Sequence, residues 1–156
     1  MKITLLVVGK TTNTALEAMI SDYQKRLTHY VPFELRILPE LKNAKSLSFE
    51  QQKQAEGEMI LKSVAPSSQV ILLDEHGKEY RSVEFASWME KQMSSGRDLV
   101  FVVGGPYGFS QEVYGRANGL ISLSQMTFSH QMVRLVFVEQ IYRAMTILRG
   151  EPYHHE

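Results

Sequence analysis

Apolar positions change their period several times along the chain, and each change marks an element. Lys2 to Val8 is a compact β-type run closed by Gly9, which predicts a buried first strand. Behind Asn13, Leu16, Met19, Ile20, Tyr23 and Leu27 recur at spacings of three and four. This predicts a helix over Thr14–Leu27, capped by Asn13, with that stripe facing the core. Phe33 to Leu38 alternates apolar and polar residues between Pro32 and Pro39, the pattern of a strand with one covered face. Leu41 to Leu47 is polar, rich in lysine and reads as a loop. Ser48 and Gln51 then stand at capping-box spacing before a mostly solvated helix that runs to Val64 despite Gly57.

Pro66 to Gln69 is turn chemistry, Val70 to Leu73 a short apolar strand ending at Asp74, and Glu75 to Arg81 a charged loop. From Ser82 as cap, Val83, Phe85, Ala86, Trp88 and Met89 predict a helix that Gly96 closes in the left-handed conformation. Leu99 to Val103 is the next strand and runs into Gly104–Phe109. Ser110 caps a short helix toward Ala117, Gly119 to Leu123 forms a last strand, and Ser124 to Ser129 is a loop. Gln131 to Leu148 is an amphipathic helix closed by Gly150, with Glu139 and Arg143 at i,i+4 spacing.

Strands and helices alternate throughout, which predicts an α/β fold with a mostly parallel sheet flanked by helices. Without a repeat, low-complexity tract or linker, residues 1–156 read as a single domain. In such sheets ligands settle beyond the carboxyl ends of the strands, so the loops after Leu73, Val103 and Leu123 are the candidates.

Charge narrows the choice of partner. Seventeen basic residues balance seventeen acidic ones, so any nucleic-acid footprint is local. The basic candidates lie late in the chain: His130, Arg134, Arg143, Arg149, His154 and His155. With no cysteine, disulfides, thiolate metal sites and cysteine nucleophiles drop out, and a cytoplasmic address is expected. Apolar runs such as Leu5–Val8 are far too short for a membrane span, and the amino terminus lacks the h-region and cleavage site of a signal peptide.

Gly104 and Gly105 suit a tight turn whose amides can meet a ligand with no Cβ in the way; a plain strand-to-helix turn is the other reading. GxGxxG, the P-loop and GxSxG are absent, which argues against dinucleotide, nucleoside triphosphate and α/β-hydrolase chemistry. His154, His155 and Glu156 lack a spaced partner such as HExxH, so a polar tail is the plain reading and no metal is expected. His130 reads as a residue bonding locally where the last helix begins, Glu139 with Arg143 as a helix-surface pair, and Tyr142 as either core or base-stacker.

The order of three late segments is more specific: GGPYG at Gly104–Gly108, ISLSQMTF at Ile121–Phe128, and SHQMVRLVFVEQIYRAMTILRGEPYHHE from Ser129 onward. Together they resemble the SPOUT superfamily of trefoil-knotted methyltransferases, and within it the ribosomal RNA large-subunit methyltransferase H family of pseudouridine N3-methyltransferases. The likeness extends over the whole chain. It implies a C-terminal trefoil knot, which periodicity cannot reveal and base rates oppose. It also implies S-adenosylmethionine as methyl donor, held by Leu73, by Gly104 and Gly105, and by Leu123, Ser124, Gln125, Met126, Thr127 and Phe128. The partners it implies are a second copy, as a homodimer, and large-subunit ribosomal RNA within the ribosome, with no membrane and no metal. His130, Arg134 and Tyr153 are the RNA-binding candidates. Arg143, His154 and His155 are the catalytic candidates, because a weakly acidic acceptor nitrogen needs a nearby cation or a general base.

Two positions depart from the family pattern. Ser129 stands where proline is common, so a looser approach to the last helix is expected. His155 stands where a basic residue is common, which predicts activity more dependent on pH. Two alternatives remain open: a SPOUT methyltransferase acting on another RNA such as tRNA, and a non-catalytic ribosome-associated protein that binds the same cofactor.

Overall fold

Strands made almost wholly of Val, Leu, Ile and Phe are stable only with both faces covered, and Ile3–Val8, whose one polar residue Thr4 is buried, and Leu99–Val103 lie side by side within the sheet rather than at its edges. The computed structural model describes all residues, Met1–Glu156. In chain order the elements are β1 (Ile3–Val8), α1 (Thr14–Leu27), β2 (Phe33–Leu38), α2 (Phe49–Lys62), β3 (Gln69–Lys78), α3 (Ser82–Ser94), β4 (Leu99–Val103), α4 (Gln111–Arg116), β5 (Gly119–Ile121) and α5 (Met132–Leu148). A single 3-10 turn, Ala44–Ser46, interrupts the loop before α2. The five strands pair in the order β2-β1-β4-β3-β5, every pair parallel.

Alternation along the strands divides the core in two. Leu5, Ile71, Phe101 and Val103 join Leu27, Phe85, Met89, Phe137 and Ile141 from α1, α3 and α5. Leu6, Leu72, Val100 and Val102 face the other way, onto Ile60 of α2 and onto Phe109 and Val113 at α4. The larger core centres on the edge-to-face pair Phe101–Phe137, whose ring centroids are 4.7 Å apart. No helix is long and apolar enough to cross a membrane.

The predicted caps are in place. Asn13 Oδ1 accepts the Leu16 N–H (3.1 Å), Ser48 and Gln51 bond reciprocally (3.1 and 2.8 Å), and Ser110 Oγ accepts from Val113 (3.3 Å). Gly96 and Gly150 close their helices at φ +73° and +67°.

Other expectations need correction. β3 does not stop at Leu73 but runs on through the charged residues to Lys78, with a register shift after Leu73 that lets Lys78 pair with Ile121. Gly77 makes this possible, because a Cβ there would lie 2.6 Å from the backbone of Leu120 and Ile121. β5 ends at Ile121, two residues short of the expected Leu123, where Ser122 Oγ turns to bond the Ser124 carbonyl. Arg81 rather than Ser82 precedes α3, its N–H donating to the Glu84 carboxylate (2.9 Å). α2 ends at Lys62, α5 begins at Met132, and Met19 of the predicted core stripe is exposed. Gly57 is not merely tolerated in α2: a Cβ there would sit 2.4 Å from Ser110 Oγ, so its absence lets α2 close onto α4. The approach to α5 is not loose, because Ser129 Oγ accepts the Met132 N–H (3.0 Å) and does a cap's work.

Arg134 gives the largest correction. Expected as an RNA contact, it is 1% exposed. Its guanidinium donates to the carbonyls of Val8 (2.9 Å), Gly9 (2.8 Å) and His130 (3.1 Å) and to Thr11 Oγ1 (3.1 Å). Burial lowers its pKa, which the nearby Glu40 carboxylate partly offsets. The charge is tolerated because planar donors meet acceptors that would otherwise be unpaired where β1 ends. Arg134→Met strands those carbonyls and is expected to lower unfolding free energy by about 3 kcal/mol, read as a shifted urea midpoint at unchanged slope.

Candidate active site

The irregular stretch of β3 after Leu73 and the carboxyl ends of β4 and β5 open onto one cavity of about 640 Å³, a volume suited to a small-molecule ligand. Leu73, Gly104 and Gly105 line it, and so do Leu123, Ser124, Gln125, Met126, Thr127 and Phe128. All three loops chosen from the sequence therefore meet at one place. The wall is mixed in character: Val103, Ile121, Leu73 and Leu123 are apolar, while the Gly104–Gly108 turn, three of its five residues glycine, brings its backbone to the wall beside Pro106 and Tyr107. Met126 and Phe128 stand exposed at the rim. His130, also on the cavity wall, is exposed.

The glycine turn is built from within. The Gly108 N–H donates to the Gly105 carbonyl (3.2 Å), and Gly108 adopts φ +83°, which favours glycine. At Gly104 a Cβ would meet the Phe109 ring at 3.0 Å, and at Gly105 it would meet the Glu56 carboxylate at 2.7 Å. The expectation that these glycines clear space for a ligand thus changes: the protein's own side chains already fill the directions a Cβ would take. Glu56, on α2, accepts the Gly105 N–H at Oε1 (2.9 Å). Burial raises the Glu56 pKa against the smaller opposing effect of that bond.

On the opposite wall, Asp74 is gripped by Tyr114 and His76. The Tyr114 hydroxyl donates to its Oδ2, while the His76 backbone N–H and ring Nδ1 lie 2.8 Å from Oδ1. Burial alone would raise the Asp74 pKa, but these bonds together hold it below the usual carboxylate range. Tyr114 is pushed up to about 12 by burial and by the Asp74 bond.

The remaining candidates gather elsewhere. Arg143 donates to Glu139 (2.6 Å), bringing about the predicted i,i+4 pair, and its other amino group lies 3.0 Å from His154 Nδ1. The Tyr153 hydroxyl donates to the same Glu139 oxygen (2.9 Å) and lies 3.2 Å from the Tyr23 hydroxyl. Tyr142 packs at the centre, against Tyr23, Tyr30 and Tyr153. The end of the chain is therefore anchored rather than a frayed tail, although His155 is exposed. A guanidinium can only donate, so His154 Nδ1 accepts and the ring proton sits on Nε2. That nitrogen is buried without a hydrogen-bond partner, the Glu156 carboxylate at 3.4 Å being out of line. None of Arg143, Tyr153, His154 and His155 lines the cavity. Val133 does, and Arg143 lies ten residues further along α5, about 15 Å at helical rise.

The sequence reading missed Glu56, Asp74 and Tyr114. The pairs Glu56–Gly105 and Asp74–Tyr114 join residues 49 and 40 apart in the chain, beyond the reach of any local spacing; only the Asp74–His76 contact is local.

Comparison with known proteins identifies the family of the chain. Residues 1–154 match the family model described as "Predicted SPOUT methyltransferase". The chain is 60% identical to a ribosomal RNA large subunit methyltransferase H of Bacteroides fragilis, the alignment covering 100% of both chains. Identity to the proteins of that name is 59% in Phocaeicola vulgatus and 56% in Flavobacterium johnsoniae, again over 100% of both chains.

The Asp74 cluster gives a signed pH test. A carboxylate with a depressed pKa adds stability above its unfolded value of about 3.9, and that stability is lost as pH falls through the lower folded value. Tyr114→Phe removes one bond, so the Asp74 pKa is expected to rise toward its unfolded value, the stability it contributes to shrink, and the acid-side loss of that contribution to be complete at higher pH. Carboxyl-carbon NMR titration and acid unfolding of both proteins check it.

Proposed function

The chain belongs to the SPOUT methyltransferase family, and from that premise we propose that it methylates N3 of a pseudouridine in large-subunit ribosomal RNA of the assembled ribosome, acting as a homodimer with S-adenosylmethionine as donor. The observation that carries this reading is the convergence of Leu73, Gly104–Gly105 and Leu123–Phe128 on one cavity, in a chain 60% identical over its full length to a ribosomal RNA large subunit methyltransferase H. The trefoil knot and the precise RNA position belong to the proposal.

The residues present fit the cofactor. Apolar side chains of Leu73, Val103, Ile121 and Leu123 suit an adenine face, and the backbone of the glycine turn offers polar groups for its edge and for the ribose. When bound, S-adenosylmethionine supplies a methyl group on a positively charged sulfur, which needs little further activation. The protein's task is then mainly placement, holding the acceptor nitrogen in line with that methyl group.

The acceptor nitrogen must also lose its proton. Arg143 favours the base anion by its charge, and His154, whose Nδ1 accepts from it, orients that guanidinium. The N3 proton passes to water. Because Arg143 lies far along α5 from the cavity of its own chain and holds His154 beside it, the partner copy brings them to it. Exposed Met19 and Met132, on α1 and at the start of α5, offer apolar surface for such a contact.

Labelled S-adenosylmethionine offered with intact ribosomes, separated subunits and tRNA checks the substrate. Label is expected in large-subunit RNA of intact ribosomes. Label in tRNA alone would point to another RNA substrate, and cofactor binding without transfer to any RNA would reduce the protein to a binding role. A second test uses mixed dimers: Leu123→Trp fills the cavity, and truncation after Glu151 removes the tail. Each is expected to be inactive alone, while mixing restores roughly a quarter of wild-type activity through dimers with one complete site.

A further inference from the structure

We infer that Glu56 is a positioning residue for the cofactor loop: its carboxylate holds the Gly104–Gly105 peptide so that the Gly104 carbonyl is presented toward the large cavity as an acceptor. This rests on the reading of that cavity given above.

α2 backs the glycine turn along one helical face. Phe49 stacks on Tyr107 with ring centroids 4.1 Å apart, Lys53 reaches the wall of the large cavity, Glu56 holds the Gly105 amide and Gly57 abuts Ser110. These positions are four, three and one residues apart, as one side of a helix requires. The turn separates two cavities. Gly104 and Gly105 line both, whereas Glu56 lines only the smaller one, of about 160 Å³, together with Glu40 and Arg134.

Peptide planarity turns this placement into a direction. The chain has no cis peptide bond, so the Gly105 N–H and the Gly104 carbonyl point oppositely across their shared plane. Glu56 draws the N–H toward α2, which sends the carbonyl the other way. An ionised acceptor makes the bond stronger than a neutral pair would. The carboxylate is half-buried, has no cation within ion-pairing distance, and makes its one hydrogen bond to this amide. A group buried at that cost for one backbone contact is poor economy for stability alone, and the peptide it orients lies in the ligand wall.

Glu56→Ala and Glu56→Leu remove the acceptor, and Glu56→Gln keeps one. Calorimetric binding of S-adenosylhomocysteine and steady-state kinetics with S-adenosylmethionine are read on folded full-length protein, with amide exchange at Gly105 reporting the bond. Ala and Leu are expected to raise the S-adenosylhomocysteine Kd and the S-adenosylmethionine KM about tenfold, with kcat at saturating cofactor within about twofold and Gly105 exchange accelerated. Gln is expected to restore KM to within about threefold, since its amide oxygen still accepts. Unchanged Kd and KM in Ala or Leu, with the Gly105 amide freed, would overturn the inference while leaving the proposed function standing. Loss of kcat alone would overturn it as well. Failure of the wild-type protein to bind S-adenosylhomocysteine would overturn the proposed function and this inference together.

Discussion

A single buried guanidinium fixes the distance between the first strand and the last helix. Arg134 satisfies the carbonyls of Val8 and Gly9 at the end of β1, and the turn just before its own helix supplies the His130 carbonyl as a further acceptor. The end of β1 and the start of α5 thus become one rigid corner. The segment Ser124–His130, one wall of the large cavity, has its far end tied to that corner. The near end leaves β5, which is bound in turn to β3. A loop with both ends on rigid elements can present backbone groups to a ligand with little entropic cost on binding.

The other two walls are held from behind. The glycine turn rests on Phe109 and Glu56, and the irregular stretch of β3 after Leu73 is secured by Tyr114 and His76 around Asp74. Glu56 on α2 and Tyr114 on α4 are two of these supports, and Phe109 belongs to the smaller core, so that core is as much the foundation of the site as the larger one. Gly57 belongs to that foundation, because only a residue without a side chain lets α2 approach Ser110 closely enough for Glu56 to reach the turn.

What could be read from the sequence was local. Asn13, the Ser48–Gln51 pair and Ser110 were legible because a cap and its partner lie three residues apart, and the buried strands because an apolar run has one stable home. The three loops followed from the parallel sheet itself. Arg134 was not legible: a lone arginine among apolar residues carries no sign of carbonyls 125 and 126 positions earlier. The extension of β3 was hidden for a related reason, since Asp74–Lys78 is charged and its pairing with the β5 side depends on Gly77 lying over a neighbouring backbone. The anchored tail escaped notice because Tyr23 and Tyr153, 130 residues apart, meet only in the fold.

The cavity and the Arg143–His154 pair lie at opposite ends of α5, which makes that helix a ruler. Each residue added to it would advance everything beyond by about 1.5 Å and turn it by about 100°. One insertion after Val138 would swing Tyr142 out from between Tyr23 and Tyr30 and carry the tail to another side of the molecule. The surface segment Leu41–Leu47 contributes no strand to the sheet, and the bonds that tie it to α2 run from one side chain, Gln52, to the Ala44 and Leu47 carbonyls. Length variation is therefore tolerated unevenly: the chain can grow or shrink ahead of α2, but the spacing from Val133 to Arg143 is fixed.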